Sequence, residues 1–258
     1  MIGIAVSRET RVEELQEALR GVADFPDEEF SAIVRDLGFA CDCCGRCCTS
    51  EYNGHVFLLD ADAVQIRMLD PAALVPAPDF DFCDQNGRFY VAGFALRTNP
   101  DGSCIFLTGG RCRIYPGRPA ICRVYPYMLH REPDERGSVD WRQISGLNEH
   151  GCYHTEIDDA ECRRIVRETK EYETAFIRQE IAFLELVGTH FAGHGLRHVR
   201  RTYDLQMQRL RRGGEVEVCV FSAGSFEPVR VTAADYPFLR SAPGKPPGHR
   251  ERSDRDML

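Results

Sequence analysis

Cys41-Asp42-Cys43-Cys44-Gly45-Arg46-Cys47-Cys48 places five cysteines within eight residues. Cys41, Cys44 and Cys47 form C-x2-C-x2-C, and Cys48 follows at once. Thiolates two residues apart converge on one centre when a tight turn draws their sulfurs together, and Gly45 supplies the backbone freedom such a turn needs. Structural zinc sites use two such pairs separated by a longer spacer. Three in succession, with a fourth at a distance, is closer to the iron–sulfur ferredoxin spacing, although no Cys-Pro follows nearby. The run predicts a metal site before it identifies the metal.

Outward from it lies a second constellation. Cys104-Ile-Phe-Leu107, Cys112-Arg-Ile-Tyr115 and Arg118-Pro-Ala-Ile-Cys122-Arg-Val-Tyr-Pro126 set three cysteines on a hairpin and the turn after it. Cys152 follows in Glu149-His-Gly-Cys-Tyr-His154. Cys41, Cys44, Cys47, Cys48, Cys104, Cys112, Cys122 and Cys152 make eight candidate ligands, arithmetically two four-thiolate sites. Zinc with four thiolates and an oxidised four-iron cluster with four thiolates both carry about −2. Arg46, Arg111, Arg113, Arg118 and Arg123 are interleaved with the cysteines and are placed to offset that charge or donate to sulfur.

The rest of the chain frames these segments. Twelve cysteines in 258 residues exceed ordinary usage, yet a chain this long builds a hydrophobic core without covalent staples. Apolar residues at 43% and charged residues at 28% describe a globular protein, and the net charge of −8 disfavours nucleic acid or an anionic membrane as a partner. The start, MIGIAVSRETRVEELQ, has no basic n-region, and no run of about 18 apolar residues occurs, so no membrane span is expected. The expectation is a cytoplasmic protein whose thiols stay reduced and serve as metal ligands. Lys170 and Lys245 are the only lysines, which leaves little room for Schiff-base chemistry.

Periodicity divides the chain into 1–38, two N-terminal helices; 39–155, the cysteine-cluster metal-binding domain; 156–212, a helical segment; 213–240, a β-hairpin; and 241–258, a flexible tail. Val12, Leu15, Leu19 and Val22 recur at helical spacing, and a second helix starts near Pro26 and stops at Gly38. Phe89 to Leu96 reads as one strand, Asn99-Pro-Asp-Gly102 as a turn, and Ser103–Thr108 with Arg111–Tyr115 as a hairpin about Gly109-Gly110. Over 158–187, Ile165, Thr169, Tyr172, Phe176, Gln179, Phe183 and Leu186 form one stripe, and Ile177, Ile181 and Leu184 a second, which predicts a largely enclosed helix. A further helix over 196–212 carries six arginines against Asp204, and Glu215–Phe221 alternates as a strand that Pro228–Thr232 could pair. The fold class is therefore α+β: a small cysteine-cluster domain of hairpins and loops packed against long helices.

Four cysteines fall outside the pattern. Cys43 is out of register with the triplet, Cys83 sits in an acidic loop, Cys162 lies on the apolar side of the long helix, and Cys219 alternates within a strand. His190, His194 and His198 recur every four residues, but Gly188, Gly193 and Gly195 weaken a helix there and no carboxylate motif accompanies them. There is no P-loop, no dinucleotide fingerprint, no G-x-S-x-G elbow and no C-x3-C-x2-C.

Taken together, C-x2-C-x2-C-C, Cys104-Ile-Phe-Leu, Cys112-x-Ile-Tyr and Arg118-Pro-x2-Cys-Arg-x-Tyr-Pro126 resemble the YkgJ-type cysteine-cluster family, described as zinc- or iron-chelating and often as iron–sulfur proteins. The resemblance covers about residues 36–155. It implies metal ligation by Cys41, Cys44, Cys47, Cys48, Cys104, Cys112 and Cys122. Cys152 matches more loosely, since relatives often carry Cys-Pro-Gly where this chain has Cys-Tyr-His; His154 is the alternative there. The leading expectation is one or two iron–sulfur clusters, of the 4Fe-4S type, serving electron transfer or an Fe–S oxidoreductase. Zn2+ in a structural or interaction module is the alternative. Some proteins with this signature are protein lysine N-methylases, but no methyl-donor site is evident here. A redox or protein partner is expected, with the basic segment 196–212 as its docking surface.

Overall fold

A computed structural model describes residues 7–50, 54–128, 130–133, 139–140 and 150–237; the tail expected over 241–258 lies outside them. The protein is α+β. Among the described residues, six helices, α1 (Arg8–Asp24), α2 (Asp27–Leu37), α3 (Asp60–Leu69), α4 (Ala120–Val124), α5 (Asp159–His194) and α6 (Arg200–Arg211), accompany short strands. Strands β1 (Phe57–Leu58), β2 (Leu74–Pro76) and β5 (Phe94–Leu96) form a sheet of order β1-β5-β2. A second sheet takes the order β11-β10-β4-β3 from β3 (Phe82–Cys83), β4 (Phe89–Val91), β10 (Val216–Ser222) and β11 (Ser225–Val231). Two further pairs are β6 (Leu107–Thr108) with β7 (Arg111–Cys112) and β8 (His130–Pro133) with β9 (Val139–Asp140).

The 36-residue α5 organises the rest. Asp158 caps it by accepting the Glu161 N–H, and Gly195 ends it in the left-handed conformation. The helix runs past the length expected for it, through Gly188 and Gly193. One stretch of it buries Cys162, Ile165 and Ile177 with Val22 of α1 and Phe30 and Val34 of α2. Another buries Phe183, Leu184 and Val187 in the main core with the sheet residues Phe89, Tyr90, Val218 and Val220. Fully burying side chains of this kind contributes about 1.5–3 kcal/mol each. Gln179 stitches helix to sheets: its amide nitrogen donates to the Ala92 carbonyl at 3.1 Å, and its amide oxygen accepts the Asp60 N–H at 2.9 Å.

Two expectations need correction. Phe89–Leu96 is not one strand: β4 and β5 belong to different sheets, and the strand is interrupted by a bend at Ala92-Gly93. A side chain at Gly93 would meet Gln179 Nε2 at 2.7 Å, so the break lets the long helix approach the backbone. Residues 60–69, expected within an irregular segment, form the ten-residue α3. The C-terminal hairpin forms as β10 and β11, and β10 adds to β4 in parallel, with Val218 opposite Phe89 and Val220 opposite Val91. No helix among the described residues is long and apolar enough to cross a membrane.

Candidate metal centre

The cysteine run leaves α2 through Gly38, a left-handed cap, and enters a coil before the three-residue helical turn Arg46–Cys48. Gly45 opens that turn at φ 77°. A side chain there would come within 3.0 Å of Leu107 Cδ1, so glycine serves both the bend and the contact with the β6–β7 hairpin. The Cys104 N–H donates to the Cys48 carbonyl at 2.7 Å and joins the two constellations directly. Cys112 lies opposite Leu107 in the β6–β7 pair. Cys122 rides on α4, whose first amide, Ala120 N–H, is held by both carboxylate oxygens of the buried Asp62 at 3.2 and 3.1 Å.

These elements enclose a cavity of about 70 Å3 lined by Cys41, Cys43, Cys47, Cys48, Cys104, Cys112 and Cys122. That is several times the roughly 10–15 Å3 a single water requires. Leu96, Phe106, Leu107, Ile114 and Ile121 supply apolar wall, and no carboxylate among the described residues lines it. His55 is the one imidazole among the lining residues. Among the described residues no three His, Cys, Asp or Glu side chains meet closely enough to hold an ion as they stand; the thiols ring the cavity. Cys44 and Cys152 do not line it and are exposed. The Cys44 amide is instead held by Asp42 at 3.0 Å. Cys152 exchanges backbone hydrogen bonds with Ala40, next to Cys41. His154, outside the cavity, bonds the Asp36 carbonyl through Nδ1.

The electrostatics are those of thiols packed together. A hydrogen bond from Cys47 draws the Cys48 thiol down to about 7, with the positive Arg118 acting in the same direction, and the same bond drives Cys47 far up. Burial pushes Cys104 up to about 11 and raises Cys112 and Cys122. Against burial, the amide two residues on donates to sulfur at Cys104 (from Phe106) and at Cys112 (from Ile114). The Cys43 amide approaches Cys41 Sγ in the same way at 3.4 Å. Such donors favour the anionic sulfur a metal requires.

Arg118 lines the same cavity, and its Nε is shut off from solvent with no hydrogen-bond partner among the described residues. A buried donor without an acceptor costs about 1–3 kcal/mol. Clustered thiols, backbone donors to sulfur and an arginine N–H without an acceptor among the described residues fit a thiolate-ligated metal group. Asp62, Arg118 as an orphaned donor and His55 as a lining residue carry no sequence motif; what draws attention to them is contact with segments far away in the chain.

The remaining expectations resolve individually. Cys83, Cys162 and Cys219 are buried away from the cavity, and burial pushes Cys83 up to about 12 and Cys219 up to about 11. Cys43 lies on the cavity wall in the left-handed conformation, φ 57°. The histidine series is split: His190 and His194 lie side by side on α5 with ring centroids 4.3 Å apart and planes tilted by 37°, while His198 lies beyond Gly195, its Nδ1 accepting the Cys83 N–H. The basic helix α6 packs on β3 and β10, and none of its residues lines the cavity.

In comparisons with known proteins, residues 40–153 match the family model CxxCxxCC, described as "Putative zinc- or iron-chelating domain". No curated protein and no solved structure gives a significant match.

Proposed function

We propose, from the match of residues 40–153 to the zinc- or iron-chelating CxxCxxCC family model, that the metal this chain binds is an iron–sulfur cluster and that its role is redox. One observation carries the choice: zinc and a four-iron cluster each take four thiolates, but Cys41, Cys44 and Cys47 stand in C-x2-C-x2-C, closer to the ferredoxin spacing than to the paired ligands of structural zinc. Seven thiols and no carboxylate among the described residues line the cavity beside it. Cys41, Cys47, Cys48, Cys104, Cys112 and Cys122 would hold the metal from the cavity wall, while Cys44 and Cys152, exposed and outside that wall, would have to move toward it to complete an eight-thiol set. An iron–sulfur group there supplies a one-electron redox couple.

The chain's own residues do the remainder. Leu107, Ile114 and Ile121 exclude water, the Phe106 and Ile114 amides steady sulfur, and Arg118 offsets negative charge. A charged partner would approach from the mouth of the cavity or, as the charge pattern of 196–212 suggests, at α6. Conversion of Cys47, Cys104 or Cys122 to serine in the anaerobically purified chain is expected to abolish most of the visible charge-transfer absorption. Full colour in all three variants would reject the ligand assignment.

Zinc is the second reading. The cysteine segment holds strands of two residues and turns of three, so a structural ion would supply folding free energy there. Stoichiometric zinc without sulfide would select it.

A further inference from the structure

Arg118 is held in place from three sides. Its guanidinium stacks over Tyr115, 3.9 Å from the ring centroid. Its carbonyl accepts Arg123 Nη1 at 2.7 Å, and Pro119 follows. Its positive charge acts on Cys43, Cys48, Cys112 and Cys122, four thiols drawn from three separate segments. Yet Nε, buried among them, has no acceptor within the described protein. No acceptor among the described residues offsets the cost of that orphaned N–H, whereas a negatively charged sulfur in the cavity would.

We propose that Arg118 is the donor that sets the properties of the cavity's metal group: Nε–H donates to a metal-bound sulfur, and the guanidinium charge favours the more negative, reduced state. The proposal rests on the iron–sulfur reading. A reduced cluster carries one more negative charge than an oxidised one, so a fixed donor and cation stabilise it more, and hydrogen bonds to sulfur are among the factors that set cluster potentials. Lysine cannot substitute fully, because its compact ammonium lacks the planar fork that places Nε–H.

The test compares wild type, Arg118→Lys and Arg118→Gln as full chains purified without oxygen, titrated with dithionite and mediator dyes while absorption is followed. Removal of the cation in Arg118→Gln is expected to lower the reduction equilibrium constant at least about tenfold, ~59 mV for one electron. Arg118→Lys is expected to fall between it and wild type. Wild-type potentials in both variants, at full iron content, would overturn the proposal. Where Arg118→Gln does not fold, Arg118→Lys carries the same comparison. Zinc in the wild type would overturn the iron–sulfur reading alone. The readout is then zinc release to excess EDTA, expected about tenfold faster in Arg118→Gln, and equal rates would overturn the role of Arg118.

Discussion

Ala40 and Cys152 exchange two backbone hydrogen bonds, N–H to carbonyl at 2.8 and 2.9 Å in the two directions, and so tie together the two ends of the segment that matches the chelating-family model. The closure depends on Gly151, at φ 73°, where a Cβ would lie 2.4 Å from Phe39 Cε2 and 3.3 Å from the Ala40 carbonyl. Gly151→Ala is therefore expected to lower stability by about 2–3 kcal/mol through overpacking and backbone strain. Thermal denaturation checks it; an unchanged midpoint would show that the two ends are not held this closely.

Asp62 organises Cys122 by capping Ala120, 58 residues away in the chain. Asp62→Ala leaves a buried N–H unpaired and is expected to cost about 1–3 kcal/mol, while Asp62→Asn, which keeps one acceptor oxygen, costs less. Thiol labelling should report faster modification of Cys122 in Asp62→Ala. Equal protection in the two variants would deny Asp62 its part in placing that cysteine.

Gln179 joins α5 to both the Asp60 amide and the Ala92 carbonyl. Gln179→Leu matches its bulk but strands two backbone groups, with an expected loss of about 2–3 kcal/mol. Chemical denaturation measures this, and a stability change under about 0.5 kcal/mol would contradict it.

Acid stability carries a further signature. Burial pushes the Asp81 carboxyl up to about 6, although its partner Arg11, 2.9 Å away, pulls the other way and Asp79 adds to the rise. The unfolded carboxyl titrates near ~3.9. The folded state holds the proton more tightly, so the contribution of Asp81 to stability declines as pH rises from about 4 through about 6. Relative to Asp81→Asn, wild type is expected to lose stability across that window and then level off. A constant difference between the two melting curves from pH 4 to 7 would refute the assignment.

What the sequence disclosed follows from where side chains face. The α5 stripes and the alternation of β10 were legible because their apolar residues point inward. Helix α3 was not: it buries Asp62, Ala63 and Ile66 while Val64, Met68 and Leu69 stand 60%, 83% and 57% exposed, so its apolar pattern points away from its packed face. The break at Gly93 depends on Gln179, 86 residues on, and is invisible to local reading. In the metal centre the cysteine spacing announced itself. Asp62 and the orphaned nitrogen of Arg118 emerge only when distant segments meet.

The central claim is tested most directly by measuring iron, acid-labile sulfide and zinc in the full chain purified and kept without oxygen. The account predicts a brown protein with iron and sulfide in near-equal amounts, about four to eight irons per chain for one or two clusters. A colourless protein with stoichiometric zinc and no sulfide would contradict it.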